Sequence, residues 1–248
     1  MPSLRVATWN IAGARLGGGG PVDLAAAVAG VRALDADVIA LQEVDRELAR
    51  SGRQDQPLAV AEELAGTPGG EWSWSFAPAL VGDDFRPLTG PDPGGPAYGN
   101  VLLSRLPLEA VEHLRFPSAG VGEQRTALVG TVRVGSRPVT VAAAHLSNRH
   151  GYNARQLRVV QEAMAGRAAP RVLAGDLNLP SLALGFASRR GWLESVRGAT
   201  FPSSRPAQQL DHVLRNDPAA VLRVRGGRLV AGPVSDHRAL VADLEVAP

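Results

Sequence analysis

RVLAGDLN (171–178) is an apolar run of strand length that stops abruptly in two polar groups, Asp176 and Asn178. The same design recurs along the chain. Asn10 follows VATW, Glu43 follows VIALQ, His145 follows VTVAAA, Asp236 and His237 follow GPVS, and Asp211 opens a strand after QQL. Strand ends that converge on one rim of a sheet sandwich gather carboxylates, amides and imidazoles in one cleft. Carboxylate and amide oxygens suit Mg²⁺ or Mn²⁺. With 0 Cys, the chain has no disulfide, no thiolate zinc site and no cysteine nucleophile.

Outward from that stretch, strand-length apolar runs dominate. They lie at 4–10, 37–44, 71–78, 99–104, 126–134 and 138–146, with further strands expected at 209–215, 219–225 and 238–246. Helical stretches are expected at 22–34, 57–65 and 152–168. The strands come in consecutive, hairpin-compatible pairs with few helices between them. This order points to an α+β fold of face-to-face sheets with helices outside, rather than a doubly wound parallel sheet. Residues 79–97 are dense in Pro and Gly and read as a loop, of a length that is often functional. No linker divides the chain, so one domain over 1–248 is expected. The Gly17–Gly20 run reads as a flexible turn, because no Gly-Lys-Ser/Thr follows to make it a phosphate-binding loop.

The 248 residues are 45% hydrophobic and 20% charged, which suits one large core and excludes a disordered chain. No apolar run approaches the ~20 residues of a membrane span, and the sequence enters a strand at once, so a soluble, cytoplasmic monomer is expected. All 26 basic residues are Arg, and the net charge is only +2 despite a pI near 9.8. With no Lys or Cys, few groups titrate in alkali, and the pI overstates the basicity. The distribution says more. Residues 1–124 carry 9 Arg against 16 acids, and residues 125–248 carry 17 Arg against 8.

TWN (8–10), LQEV (41–44), GNVLLSR (99–105), HLS (145–147), GDLN (175–178), LDHV (210–213) and SDH (235–237) together resemble the ordered motifs of the endonuclease/exonuclease/phosphatase superfamily. Each motif alone is weak; the ordered set is specific and runs from Trp9 to His237. The resemblance implies a four-layer α/β/β/α sandwich of two mainly antiparallel sheets flanked by helices, and divalent-metal-dependent hydrolysis of phosphate esters. It also implies roles. Glu43 would be the principal metal ligand with Asn10 beside it, and Asp236 would complete the metal site. Asp176 and Asn178 would orient the attacking water, with Asp176 a candidate base. His237 would be a hydrogen-bonding or general-base imidazole oriented by Asp211, and His145 would bind a phosphate oxygen or protonate the leaving group.

Other residues carry two readings each. Asn100 contributes a hydrogen bond in the site or is a strand-start amide. Arg125 contacts phosphate or makes a surface ion pair. Arg149 and Arg155, close to the HLS strand end, suit an anionic substrate better than Arg158 and Arg167, which also read as a solvated helix face. His212 and Trp9 are expected to be structural. The substrate reading is a phosphodiester or nucleic acid. A phosphomonoesterase acting on an inositol phosphate or another small phosphate ester is the alternative. A catalytically silent phosphate- or nucleic-acid-binding protein would show substitutions at the metal or His positions, and there are none.

Overall fold

The computed structural model describes residues 2–67, 71–116 and 123–247. Its first strands are β1 (Ser3–Asn10), β2 (Val38–Arg46), β3 (Ser73–Val81), β4 (Arg86–Pro87), β5 (Ala97–Ser104) and β6 (Glu109–Phe116). They are followed by β7 (Arg125–Val134), β8 (Arg137–His145), β9 (Arg171–Asp176), β10 (Trp192–Glu194), β11 (Asp211–Asn216), β12 (Leu222–Val230) and β13 (Ala239–Val246). The α-helices are α1 (Leu24–Ala33), α2 (Gln56–Ala65), α3 (Tyr152–Ala165) and α4 (Ser181–Ala187).

Two sheets form, in the orders β12-β13-β1-β2-β5-β3-β4 and β10-β11-β9-β8-β7-β6. Each contains a single parallel pair, β1–β2 in one and β8–β9 in the other; every other pairing is antiparallel. A parallel pair needs a long crossover, and α1 and α3 are those crossovers. Asp23 caps α1 by accepting a hydrogen bond from the Ala26 N–H, and Asp55 caps α2 in the same way from Leu58.

Three apolar layers separate the four structural ones. Trp9, Ile39 and Leu41 pack beneath Val31 of α1 and Val60 of α2. Leu4, Val6, Val38 and Leu102 of one sheet meet Leu128, Val141 and Val172 of the other. Val129, Ala142 and Leu173 pack under Leu157, Val160 and Met164 of α3. The four-layer sandwich of mainly antiparallel sheets expected from the sequence is therefore the observed fold.

Three local readings need correction. The segment 79–97 is not all loop: β3 continues to Val81 and pairs with β4 at Leu80↔Pro87 and Val81↔Arg86. Proline is accommodated there because β4 is an edge strand. Gly17–Gly20 is held rather than flexible. Leu16 bridges Val234, and the Gly17 N–H donates to the Pro233 carbonyl. The last strand pair also runs further than the apolar pattern suggests, with β12 reaching Val230 through a bulge between Val224 and Gly226.

Candidate active site

Alternation along the strands delivers the polar groups to one place. In β1, Leu4, Val6 and then Asn10 share the face that looks into the layer between the sheets. In β8 the series is Val139, Val141, Ala143 and His145, and in β9 it is Val172, Ala174 and Asp176. Register then aligns three neighbouring strands, because His145 sits opposite Asp176, and Asp211 sits opposite Asp176 from the other side. Glu43 arrives differently. The β2–β5 register shifts between Leu41 and Val44, and Glu43 takes φ 55 inside that irregularity. A bulge re-aims the side chain out of the strand's alternation.

Asn10 ties two of the carboxylates together. Its Nδ2 donates to Glu43 Oε1 at 3.0 Å and to Asp176 Oδ2 at 3.1 Å, while its Oδ1 accepts the Ala12 N–H at 3.0 Å. The backbone N–H fixes which end of the amide is oxygen. Asn10 therefore holds two acids through its NH₂ and keeps its oxygen on the Ala12 side. His237 has its Nδ1 2.8 Å from Asp211 Oδ2 and its Nε2 3.8 Å from Asp176 Oδ2. His145 Nε2 stands 3.5 Å from the same Asp176 oxygen and 4.0 Å from Glu43. Asp176 is thus flanked by two imidazoles.

Several residues behind this cluster were not legible as site residues. Ser235, at φ 70, donates its hydroxyl to the Asn10 carbonyl at 2.6 Å and accepts the His237 N–H at 3.0 Å. Trp9, buried as expected, donates from Nε1 to the His237 carbonyl at 3.1 Å. The Phe201 ring lies 4.9 Å from the His237 ring, centroid to centroid. Thr200 Oγ1 accepts the Asp211 N–H at 3.2 Å. The serine and the tryptophan carried a signal, as members of SDH and TWN; Thr200 and Phe201 carried none.

Burial and the neighbouring Asp211 carboxylate push the Asp176 carboxyl up to about 7. Burial alone would lower His237, but the charge and hydrogen bond of Asp211, with Asp176 and Asp236, raise it to about 9. His145 is held well below the usual imidazole value by burial and by the cations Arg125 and His237, so it is neutral. Arg125 is itself buried; its Nη1 lies within 3.0 Å of both His145 ring nitrogens and its Nη2 3.2 Å from Glu123. Arg125 thus lies against His145 and makes an ion pair with Glu123 from a buried position.

Asp176, Asp211 and His237 offer ligand atoms that all lie within 4.8 Å of one another. Asp211 Oδ1 is buried with no hydrogen-bond partner among the described residues. An orphaned carboxylate oxygen, a second buried carboxyl that resists ionising and an imidazole make a cluster short of positive charge. The carboxylate oxygens of this set fit a hard divalent cation. Glu43, about one-third exposed, stands at its open side.

The remaining expected residues divide. Asn178 lies beside Asp176, its N–H donating to Asp176 Oδ1 at 3.1 Å, but its Nδ2 is engaged by the Leu146 carbonyl. Asn100 is buried and gives Nδ2 to Thr126, linking the two sheets, so its donors are structural. The Asp236 side chain packs over Gly18, where a Cβ would approach its Cγ to 2.6 Å. Arg149 and Arg155 are exposed around the start of α3 and make no side-chain contact with the cluster among the described residues. Arg167 pairs with Glu112, and Arg171 caps the carbonyls of Met164, Ala165 and Arg167, so both serve the fold. His212 is structural as expected, fully buried between Glu194 and the Leu179 carbonyl.

The sandwich and its rim of acids and imidazoles define a metal-dependent phosphoric ester hydrolase. The sequence profile of the Endonuclease/Exonuclease/phosphatase family matches residues 7–237, and the chain belongs to that family. Among solved structures, an endonuclease/exonuclease/phosphatase from Beutenbergia cavernae is 26% identical with a TM-score of 0.79, covering 100% of this chain and 72% of its own. The human Nocturnin catalytic domain, with bound sulfate, is 20% identical with a TM-score of 0.69 and coverage of 99% and 94%. A humanized TDP2 from D. rerio is 14% identical with a TM-score of 0.68 and coverage of 98% and 99%. No curated protein matches the sequence. No helix among the described residues is long and apolar enough to cross a membrane.

Proposed function

We propose that the chain hydrolyses phosphodiesters with Mg²⁺ or Mn²⁺, using Asp176 as the base and His237, charged through Asp211, as the principal donor to the phosphoryl group. The observation that carries this assignment is geometric: His237 Nδ1 lies 2.8 Å from Asp211 Oδ2, and its Nε2 faces Asp176 Oδ2 at 3.8 Å. Asp176, near 7, can take a proton from water at neutral pH, whereas His237, near 9, already holds one. The Nδ1–Asp211 bond fixes the His237 tautomer and turns Nε2–H toward the reacting region. Neutral His145, backed by Arg125, is the second group for a phosphoryl oxygen. Asn10 keeps Glu43 and Asp176 together so that both face one phosphate. A divalent ion, held by Glu43 with carboxylate oxygens of Asp176 and Asp211, would supply Lewis-acid shielding of the phosphoryl oxygens and the departing alkoxide. The sulfate on Nocturnin supports a tetrahedral-anion site on this fold.

Hydrolysis of bis(p-nitrophenyl) phosphate and of the corresponding monoester, with and without Mg²⁺ or Mn²⁺, tests the proposal. We expect metal-dependent turnover favouring the diester, reduced about 10²–10⁴-fold in His237→Ala and lost in Glu43→Ala. Absence of metal-dependent turnover of both esters, or turnover indifferent to these substitutions, would contradict it. A preference for the monoester would move the assignment to a phosphomonoesterase.

A further inference from the structure

The Pro- and Gly-rich segment 79–97 builds something that the hydrolytic chemistry does not use. A cavity of about 590 Å³ borders Glu43, with walls from Arg50, Leu80, Phe85, Tyr98 and Glu123. Its volume falls within the ~300–1,000 Å³ common for small-molecule sites. Leu80, Phe85 and Pro87 of its lining come from that segment.

The cations of this cavity are already spent. Arg50 is bidentate to Asp45, with contacts of 2.6 and 2.9 Å, and Glu123 pairs with Arg125 at 3.2 Å. A pocket for a second phosphate needs uncompensated cations, and the lining supplies none. What it presents is aromatic. The Arg50 guanidinium lies 4.5 Å over the Phe85 ring and 5.2 Å over the Tyr98 ring, and the two rings meet edge-on at 6.2 Å. Two rings and the apolar Leu80 and Pro87, interleaved with the polar groups of Glu43, Arg50, Glu123 and Gln124, suit a flat neutral ring that carries its own polar edge rather than an anion.

Phe85 adds an independent observation. Its N–H closes a turn onto the Gly82 carbonyl, and its backbone takes φ 54. That left-handed position suits Gly or Asn, and a bulky side chain there is a genuine outlier. Strain of this kind, at the wall of a cavity beside a metal ligand, is what a binding role for the ring explains.

We propose that this cavity seats a neutral, ring-bearing ester group of the substrate, of nucleoside size, with its phosphate at Asp176 and His237. The proposal rests on the phosphodiesterase reading and narrows it to small nucleotide-like esters on this side of the site. Its test is calorimetric binding, with Mn²⁺ present, of thymidine 5′-monophosphate and of 2-deoxyribose 5-phosphate to the full chain. The nucleotide should bind at least about tenfold tighter than the base-free sugar phosphate, as expected for one stacked base. In Phe85→Asn the nucleotide's affinity should fall to the sugar phosphate's value. Asn suits the turn's backbone, so the fold is expected to survive; Phe85→Gly serves as the second variant. Equal affinities in the unmodified chain, or a preference that persists in both variants, would overturn the proposal. Turnover of bis(p-nitrophenyl) phosphate, measured on the same samples, separates the two failures. Turnover with equal affinities refutes the pocket alone, and absent turnover refutes the phosphodiesterase reading.

Discussion

Asp176 and His237 illustrate how one cluster sets both chemistry and stability. Raised to about 7, Asp176 resists ionising in the folded chain, so the unfolded state gains as pH rises from the ordinary Asp value toward 7. His237, raised to about 9, contributes stability that is complete below about 6.5 and is lost as pH rises through 9. Both effects have the same sign. His145, held low, acts with the opposite sign below about 6.5, so metal-free protein should lose thermal stability at this site chiefly between about pH 6.5 and 9, and a cation should offset the loss. Melting curves with EDTA and with Mn²⁺ test this: the rise in Tm on adding metal should be larger at pH 8.5 than at pH 5.5. A pH-independent rise would count against the shared-proton cluster. Most of the cluster was legible, because Glu43, His145, Asp176, Asp211 and His237 end apolar runs or open a strand. The orientation of Asn10 was not, because it depends on the Ala12 N–H at a φ of 49. Phe201 and Thr200 reach the site only through tertiary contacts.

At the scale of elements, the GDLN strand shows why the motif contains glycine. A Cβ at Gly175 would run into the Ala144 carbonyl of the parallel neighbour β8, the strand that carries His145. Gly175→Ala should destabilise the protein by about 3 kcal/mol or more, as an overpacked core position does, and should separate His145 from Asp176. Urea unfolding measures the first effect; an unchanged midpoint would show that β8 and β9 can part without cost. The strands bearing long apolar runs were legible because both faces are buried between layers. β6 and β10 escaped detection for the opposite reason. β6 is an edge strand exposing Glu109, Glu112 and Arg115, and β10 is three residues at the opposite edge of the same sheet. Helix α4 was illegible in the same way, with Leu182 and Phe186 about four-fifths exposed and without a helical apolar stripe.

For the whole molecule, ion pairs join the two unevenly charged sequence halves and absorb part of the Arg excess of 125–248. Arg167 reaches Glu112, Arg133 reaches Glu109, Arg125 reaches Glu123, and Arg5 pairs with Asp243. Each pair joins a residue of one half to a residue of the other. The basic half therefore supplies fewer free cations than its composition suggests, although Arg149 and Arg155 remain exposed. An enzyme tracking several phosphates of a polymer would lose about 10³–10⁵ in affinity between 50 and 200 mM salt. Here KM for a small diester should change less than about tenfold over that range. A steep loss, checked by steady-state kinetics in a salt series, would instead indicate a polyanion groove.

The most direct test of the central claim is the kcat of Asp176→Asn against unmodified protein, on bis(p-nitrophenyl) phosphate with saturating Mn²⁺ at pH 7.5. If Asp176 accepts the proton of the attacking water, the variant should retain its melting temperature within a few degrees and lose about 10²–10⁴-fold in kcat. A folded variant with kcat within a few-fold of the parent would show that the base lies elsewhere.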